Sequence, residues 1–189
     1  GGDLQQIIDD LMPDTRYYFV VRAQDEAGNI DDNDTTLAIK TPGSKMAIDI
    51  AVGESQSCAI LSDGAIKCWG DANVPDLNEP MAIEMGMSHS CAVMRTGNVR
   101  CWGTNSSGQL GNGNTNDPGG SVLVKEVTDA TQVSVGLAHT CAVMSDSQVK
   151  CWGLNQHGQL GDGSVELRTK PVVVRLANGQ PLTDVVNVA

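Results

Sequence analysis

Cys91-Ala92-Val93-Met94-Arg95-Thr96-Gly97-Asn98-Val99-Arg100-Cys101-Trp102-Gly103 is one of three copies of a single pattern. The others run from Cys58 to Gly70 and from Cys141 to Gly153. All six cysteines and all three tryptophans lie in these copies. The midpoint of Cys91 and Cys101 is Thr96, so a three-residue loop, Arg95 to Gly97, sets the strand register. Gly97 then takes the left-handed third position that this hairpin type prefers. The same holds for Ser62-Asp63-Gly64. The third copy has Ser147 where glycine is expected, which strains its turn by about 1 kcal/mol.

That register puts Cys58 opposite Cys68, Cys91 opposite Cys101 and Cys141 opposite Cys151. Directly opposed residues of a non-hydrogen-bonded pair come close enough for a disulfide. Disulfides are the favoured reading, ahead of buried thiols and of metal ligation. A metal site would need His-x-Cys plus Cys in each copy. The first copy has Gln56 where the others have His89 and His139, so no metal is assigned. Disulfides imply an oxidising compartment.

Working outward, the copies are offset by 33 and then 50 residues. Each hairpin follows a short strand ending in glycine, Ile83 to Gly86 and Val133 to Gly136. Each of the last two precedes a glycine-rich connection, Asn105 to Gly113 and Asn155 to Gly163. Further strands follow at Ser121–Val124 and Pro171–Val174. The first unit lacks the Gly-Gln-Leu-Gly segment and runs from Gly70 through Pro75 straight into the next unit. A fourth unit begins at Leu182. Four short strands per unit at this period is the arithmetic of a β-propeller blade. Abundant Gly, 21 residues, and 3% aromatics suit short strands and turns.

These residues resemble the regulator of chromosome condensation repeat, over roughly 46–189. The resemblance rests on Gly86, His89, Cys91, Val99, Trp102, Gly103, Asn105, Gly108, Gln109, Leu110 and Gly111. It recurs at Gly136, His139, Trp152, Gly153, Gly158, Gln159, Leu160 and Gly161. It implies an all-β fold, about three blades of a larger ring that closes at seven. The cysteine-paired form is similar to bacterial members such as β-lactamase inhibitor protein II, which grip a protein partner with propeller loops.

Residues 1–42 read differently. Leu11 to Ala23 is strand-like, with Tyr17, Phe19 and Val21 on one face and Tyr18, Val20 and Arg22 on the other. Thr35 to Thr41 is the returning strand. Leu11, Pro13, Thr15, Tyr17, Phe19, Val21, Ala23, Asp25, Ala27, Gly28 and Asn29 resemble the second half of a fibronectin type III domain. The resemblance implies a partial β-sandwich with Tyr17 as its corner tyrosine. Only the last strands of such a domain are present, so this part is expected to be poorly supported alone. Residues 43–45 are a linker to 46–189. The chain lacks an initiating Met and opens inside a strand pattern, so it reads as a fragment of a longer polypeptide.

Residues 1–42 carry nine acids and three bases, net −6; the rest carries fourteen and nine, net −5; the total is −11. Acidic charge on both parts disfavours nucleic acid. No apolar run is long enough to span a bilayer. Asp31-Asp32-Asn33-Asp34 is a solvated acidic turn rather than a calcium loop, for lack of a bidentate Glu. Gly108 to Gly113 lacks the Lys and helix of a phosphate loop. Ser57, Ser90 and Thr140 recur with the repeat, which argues against a unique hydrolytic triad. His157 is solvated, and Trp69, Trp102 and Trp152 are blade-packing residues. Asn105-Ser106-Ser107 and Asn33-Asp34-Thr35 are glycosylation sequons, meaningful only in a eukaryotic secretory host. No catalytic residue, cofactor or metal is therefore assigned. The expected function is a non-catalytic binding or adhesion module, extracellular or on a bacterial envelope, holding a protein or glycan by its propeller loops. The alternative is an intracellular guanine-nucleotide exchange or chromatin-binding propeller. An enzyme is the third reading.

Overall fold

The computed structural model describes residues 14–20, 27–30, 36–40, 43, 45–70 and 74–188. The chain divides into two compact units, Gly1–Met46 and Ala47–Ala189. The described residues contain strands and turns and no helix.

In the first unit, β1 (Arg16–Val20) pairs antiparallel with β2 (Thr36–Lys40). Tyr17 lies opposite Ile39 and Tyr18 opposite Ala38. Tyr17 is half-buried and Tyr18 is exposed, as the alternation of faces requires. Leu11, Pro13, the Asp31–Asp34 turn and the Asn33 glycosylation sequon lie outside the described residues.

The second unit holds three antiparallel sheets in sequence order. The first is β3 (Ala47–Val52), β4 (Gln56–Leu61) and β5 (Ile66–Gly70). The second is β6 (Pro80–Met85), β7 (His89–Met94), β8 (Val99–Gly103) and β9 (Val122–Leu123). The third is β10 (Ala130–Val135), β11 (His139–Met144), β12 (Val149–Gly153) and β13 (Arg168–Val173). Four strands per unit is therefore met in the second and third sheets. The outer strand of the second is only two residues long, shorter than Ser121–Val124.

The hairpin register is the one the loop length dictates. Cys58 faces Cys68, Cys91 faces Cys101 and Cys141 faces Cys151. All three pairs are disulfide-bonded, each with 4.1 Å between Cα atoms. Each bridge closes a small loop and contributes roughly 2–3 kcal/mol through the entropy of the unfolded chain. Gly64 and Gly97 take φ of 82° and 79° at the third loop position. Ser147 is forced into the same region, at φ 64°.

Apolar side chains fill the spaces between sheets. Cys58, Ile60, Leu77, Ile83, Met85, Ala92 and Trp102 form the core between the first and second. Cys91, Val93, Val99, Leu110, Val127, Val133, Met144 and Trp152 form the core between the second and third. β7 has both faces covered and is buried along its whole length. Residues 182–188 do not form a strand. Leu182 and Val185 instead pack on Val149, Cys151 and Leu160 and close the far side of the third sheet. The Val185 amide donates to the Ser147 carbonyl at 3.1 Å, as that of Ala130 does to Gly97 at 2.9 Å. The start of a fourth unit is thus docked in the position of a next sheet without pairing into one.

Candidate functional site

The glycine-rich connections are built around one buried asparagine each. Asn105 is fully buried, and its Oδ1 accepts from the Leu110 amide at 3.0 Å. Its Nδ2 donates to Asn112 Oδ1 and to the carbonyls of Asn114 and Asn116. Asn155 repeats this with Leu160, Asp162 and Ser164. The Asn105-Ser106-Ser107 sequon is therefore closed to glycosylation in the folded state, because its amide is buried and committed. Gln109 Oε1 accepts from the Ser107 amide, and Gln159 Oε1 from that of exposed His157.

This bracing presents the backbone of Gln109 to the next blade. Its carbonyl accepts from Trp152 Nε1 at 2.8 Å and from Thr140 Oγ1 at 2.9 Å. Leu110 is fully buried in the same junction. Gly111 has φ 64°, and a Cβ there would stand 2.8 Å from Trp152 Nε1, so only glycine fits. Gly108-Gln109-Leu110-Gly111 is a clasp that ties the second sheet to the third. Gly108 and Gly158 turn the two loops, and Gly161 repeats Gly111 against Val174.

His89 completes the clasp. Its Nε2 lies 2.8 Å from Thr140 Oγ1. Because Thr140 spends its hydrogen on the Gln109 carbonyl, it accepts from His89, which fixes the proton on Nε2. Nδ1 is then a bare acceptor, and it is buried with no hydrogen-bond partner. Burial, and then the nearby His139, lower the His89 pKa to about 4, so the ring is neutral at physiological pH. His139 is only half-buried and, among the described residues, its side chain makes no hydrogen bond, unlike His89 at the equivalent position of the second sheet. Burial lowers its pKa too.

The remaining repeat positions fall in the strands. Gly86 ends β6, its amide donating to the His89 carbonyl at 2.9 Å. Gly103 and Gly153 face His89 and His139 across the hairpins. Trp152 is fully buried and Trp102 nearly so, but Trp69 is 54% exposed, so blade packing does not describe the first copy.

The first unit has no clasp. Val74, Leu77 and Pro80 stand where Val124, Val127 and Ala130 stand in the second, an offset of 50 residues. From Gly70 to Gly103 the offset is 33, so 17 residues are missing between Gly70 and Val74. The segment lost carries the clasp, and among the described residues the first sheet has three strands. At the vacated position lies a cleft of about 520 Å³, lined by Gln56, Pro75, His89, Ser90, Trp102 and Asp117 among others. The deletion is legible in the sequence and the cleft is not, because the cleft is the space between two sheets. No group of three or more His, Cys, Asp or Glu able to hold a metal occurs among the described residues.

Three consecutive disulfide-stapled antiparallel sheets, joined by repeated loops, define an all-β protein of propeller blades. Models of the regulator of chromosome condensation (RCC1) repeat match residues 82–109 and 130–159, and residues 96–143 and 146–189. Residues 82–189 are therefore regulator of chromosome condensation repeats, and the first sheet lies outside the matched residues. Yeast RCC1 (Prp20), in its complex with Kap60, is similar in fold, with TM-score 0.58 and 22% identity over 74% of this chain and 39% of that one. Human WBSCR16 gives 0.58 and 16% identity over 80% and 46%. Prp20p from Saccharomyces cerevisiae, studied for binding to Gsp1p and histones, gives 0.57 and 20% over 68% and 38%. The chain thus spans less than half the length of these structures. No curated protein sequence matches it.

Proposed function

We propose that this chain is part of a non-catalytic binding module, extracellular or on a cell surface, whose blade loops hold a protein or glycan. The observation that carries this reading is one cross-strand disulfide in every blade hairpin. Such bonds persist in oxidising compartments and are rare where glutathione keeps thiols reduced. The net charge of −11 weighs against a phosphate backbone as partner. Ser57, Ser90 and Thr140 are repeat positions, and Thr140 serves the clasp, which supports binding rather than catalysis. No helix among the described residues is long and apolar enough to cross a membrane. Residues 1–42 act as a spacer of fibronectin type III kind, with Tyr17 at its corner and 43–45 as the link to 46–189.

A second reading takes its motive from the yeast structures, one a complex with Kap60 and one of a protein studied for binding Gsp1p and histones. It is an intracellular exchange or chromatin-binding propeller. The paired cysteines and acidic charge oppose it. One experiment separates the two. The protein is isolated from its native host with free thiols trapped, and its fractions are assayed for retained partners. Blocked alkylation at all six cysteines and a partner from the envelope or medium are expected. Six alkylated thiols in a cytosolic fraction would overturn the proposal.

A further inference from the structure

We infer that the cleft between the first and second sheets is an open clasp socket that binds a peptide turn of a partner polypeptide. The filled socket one blade further on shows what such a site recognises. There Trp152 Nε1 and Thr140 Oγ1 both donate to one backbone carbonyl, that of Gln109. Trp102 and Ser90 hold the same register positions in the second sheet, facing one another as Trp152 and Thr140 do. Both line the cleft, and among the described residues neither side chain makes a hydrogen bond. The site therefore offers two donors to a carbonyl that the first sheet does not supply.

His89, next to Ser90 on β7, points to the opposite face of the strand, where its Nε2 meets Thr140 of the third sheet, and takes no part in the socket. Two donors converging from Trp102 Nε1 and Ser90 Oγ are the complement of a peptide carbonyl, which accepts from both as the Gln109 carbonyl does one blade further on. The volume is that of a small-ligand site, with Pro75 and the Trp102 ring as apolar walls.

The occupant comes from outside these blades. Residues 71–73, between Gly70 and Val74, are too few to form a four-residue clasp. The Gly108–Gly111 clasp is engaged with the third sheet, and Gly158–Gly161 belongs to that sheet's own connection. The inference goes beyond the binding role proposed above and holds in any compartment.

The probe is the blocked peptide acetyl-Gly-Gln-Leu-Gly-amide, added to the oxidised 189-residue chain and followed by the tryptophan indole N–H resonances. In the protein alone, the Trp102 indole hydrogen exchanges at least about tenfold faster than that of Trp152, which is hydrogen-bonded. Peptide at millimolar concentration shifts and protects Trp102 and leaves Trp152 unchanged. W102F and S90A each weaken peptide binding, W102F by about tenfold. If W102F does not fold, the two indole measurements on the unaltered protein decide. Equal protection of the two indoles before peptide is added, no shift at Trp102 with it, or undiminished binding by folded W102F would each overturn the inference.

Discussion

The two junctions between sheets are built from the same repeat and closed by different means. Between the second and third sheets a loop reaches across, plants Leu110 in the core and spends the Gln109 carbonyl on two donors. Between the first and second the apolar contacts remain, through Ile60, Leu77, Ile83 and Trp102, but the loop is absent and a cleft takes its place. The difference teaches what each part of the repeat is for. Hairpins and disulfides make a blade, and hydrophobic burial brings blades together. The clasp satisfies the polar groups left at the seam, and where it is deleted those groups become available to something else.

The largest effect should come from the clasp core. Leu110→Ala removes a fully buried side chain and should cost about 3 kcal/mol, read from urea unfolding. Leu77→Ala, 8% exposed at the open junction, should cost less, about 2 kcal/mol. A cost for Leu77→Ala equal to or above that of Leu110→Ala would break the distinction between the junctions.

The next effect is a pH dependence carried by His89. Its folded pKa of about 4 lies below the ordinary 6.5, so protons bind the unfolded chain first as pH falls. Stability is full above pH 6.5 and drops between 6.5 and 4, by up to about 3 kcal/mol. The lowered pKa of His139 acts in the same direction. His89→Gln, the residue type at position 56, keeps a donor for Thr140 and cannot titrate, so it should flatten most of the slope. A wild-type protein equally stable at pH 7 and pH 4.5 would refute the buried neutral ring.

The smallest effect is in the third hairpin. Ser147 at φ 64° occupies a position that glycine fills in the other two. Ser147→Gly should raise the thermal midpoint, by no more than about 1 kcal/mol in free energy. A lowered midpoint would mean that the serine side chain contributes more than its backbone strain costs.

Much of this was legible in the chain itself. Loop length with Gly64 and Gly97 gave the hairpin register, and the register alone paired the cysteines. The same loop position marks Ser147 as strained from the residue type alone. The change of offset from 50 to 33 marked the first connection as shortened. Other readings needed correction. Trp69 shares the repeat position of Trp152 yet stands exposed, because its surroundings differ and not its sequence. Asn105 reads as a glycosylation sequon but is sealed inside its own loop.

What the sequence by itself determined is local: strand period, turn conformation, and disulfide partners ten residues apart. These depend on backbone sterics over a few residues, which the residue types specify. What only the tertiary structure decided are contacts between units 31 to 51 residues apart. The two bonds to the Gln109 carbonyl, the fixed tautomer of His89 and the open socket beside Trp102 all belong to that class. Each depends on the groups that a neighbouring sheet brings up, and no stretch of one repeat contains them.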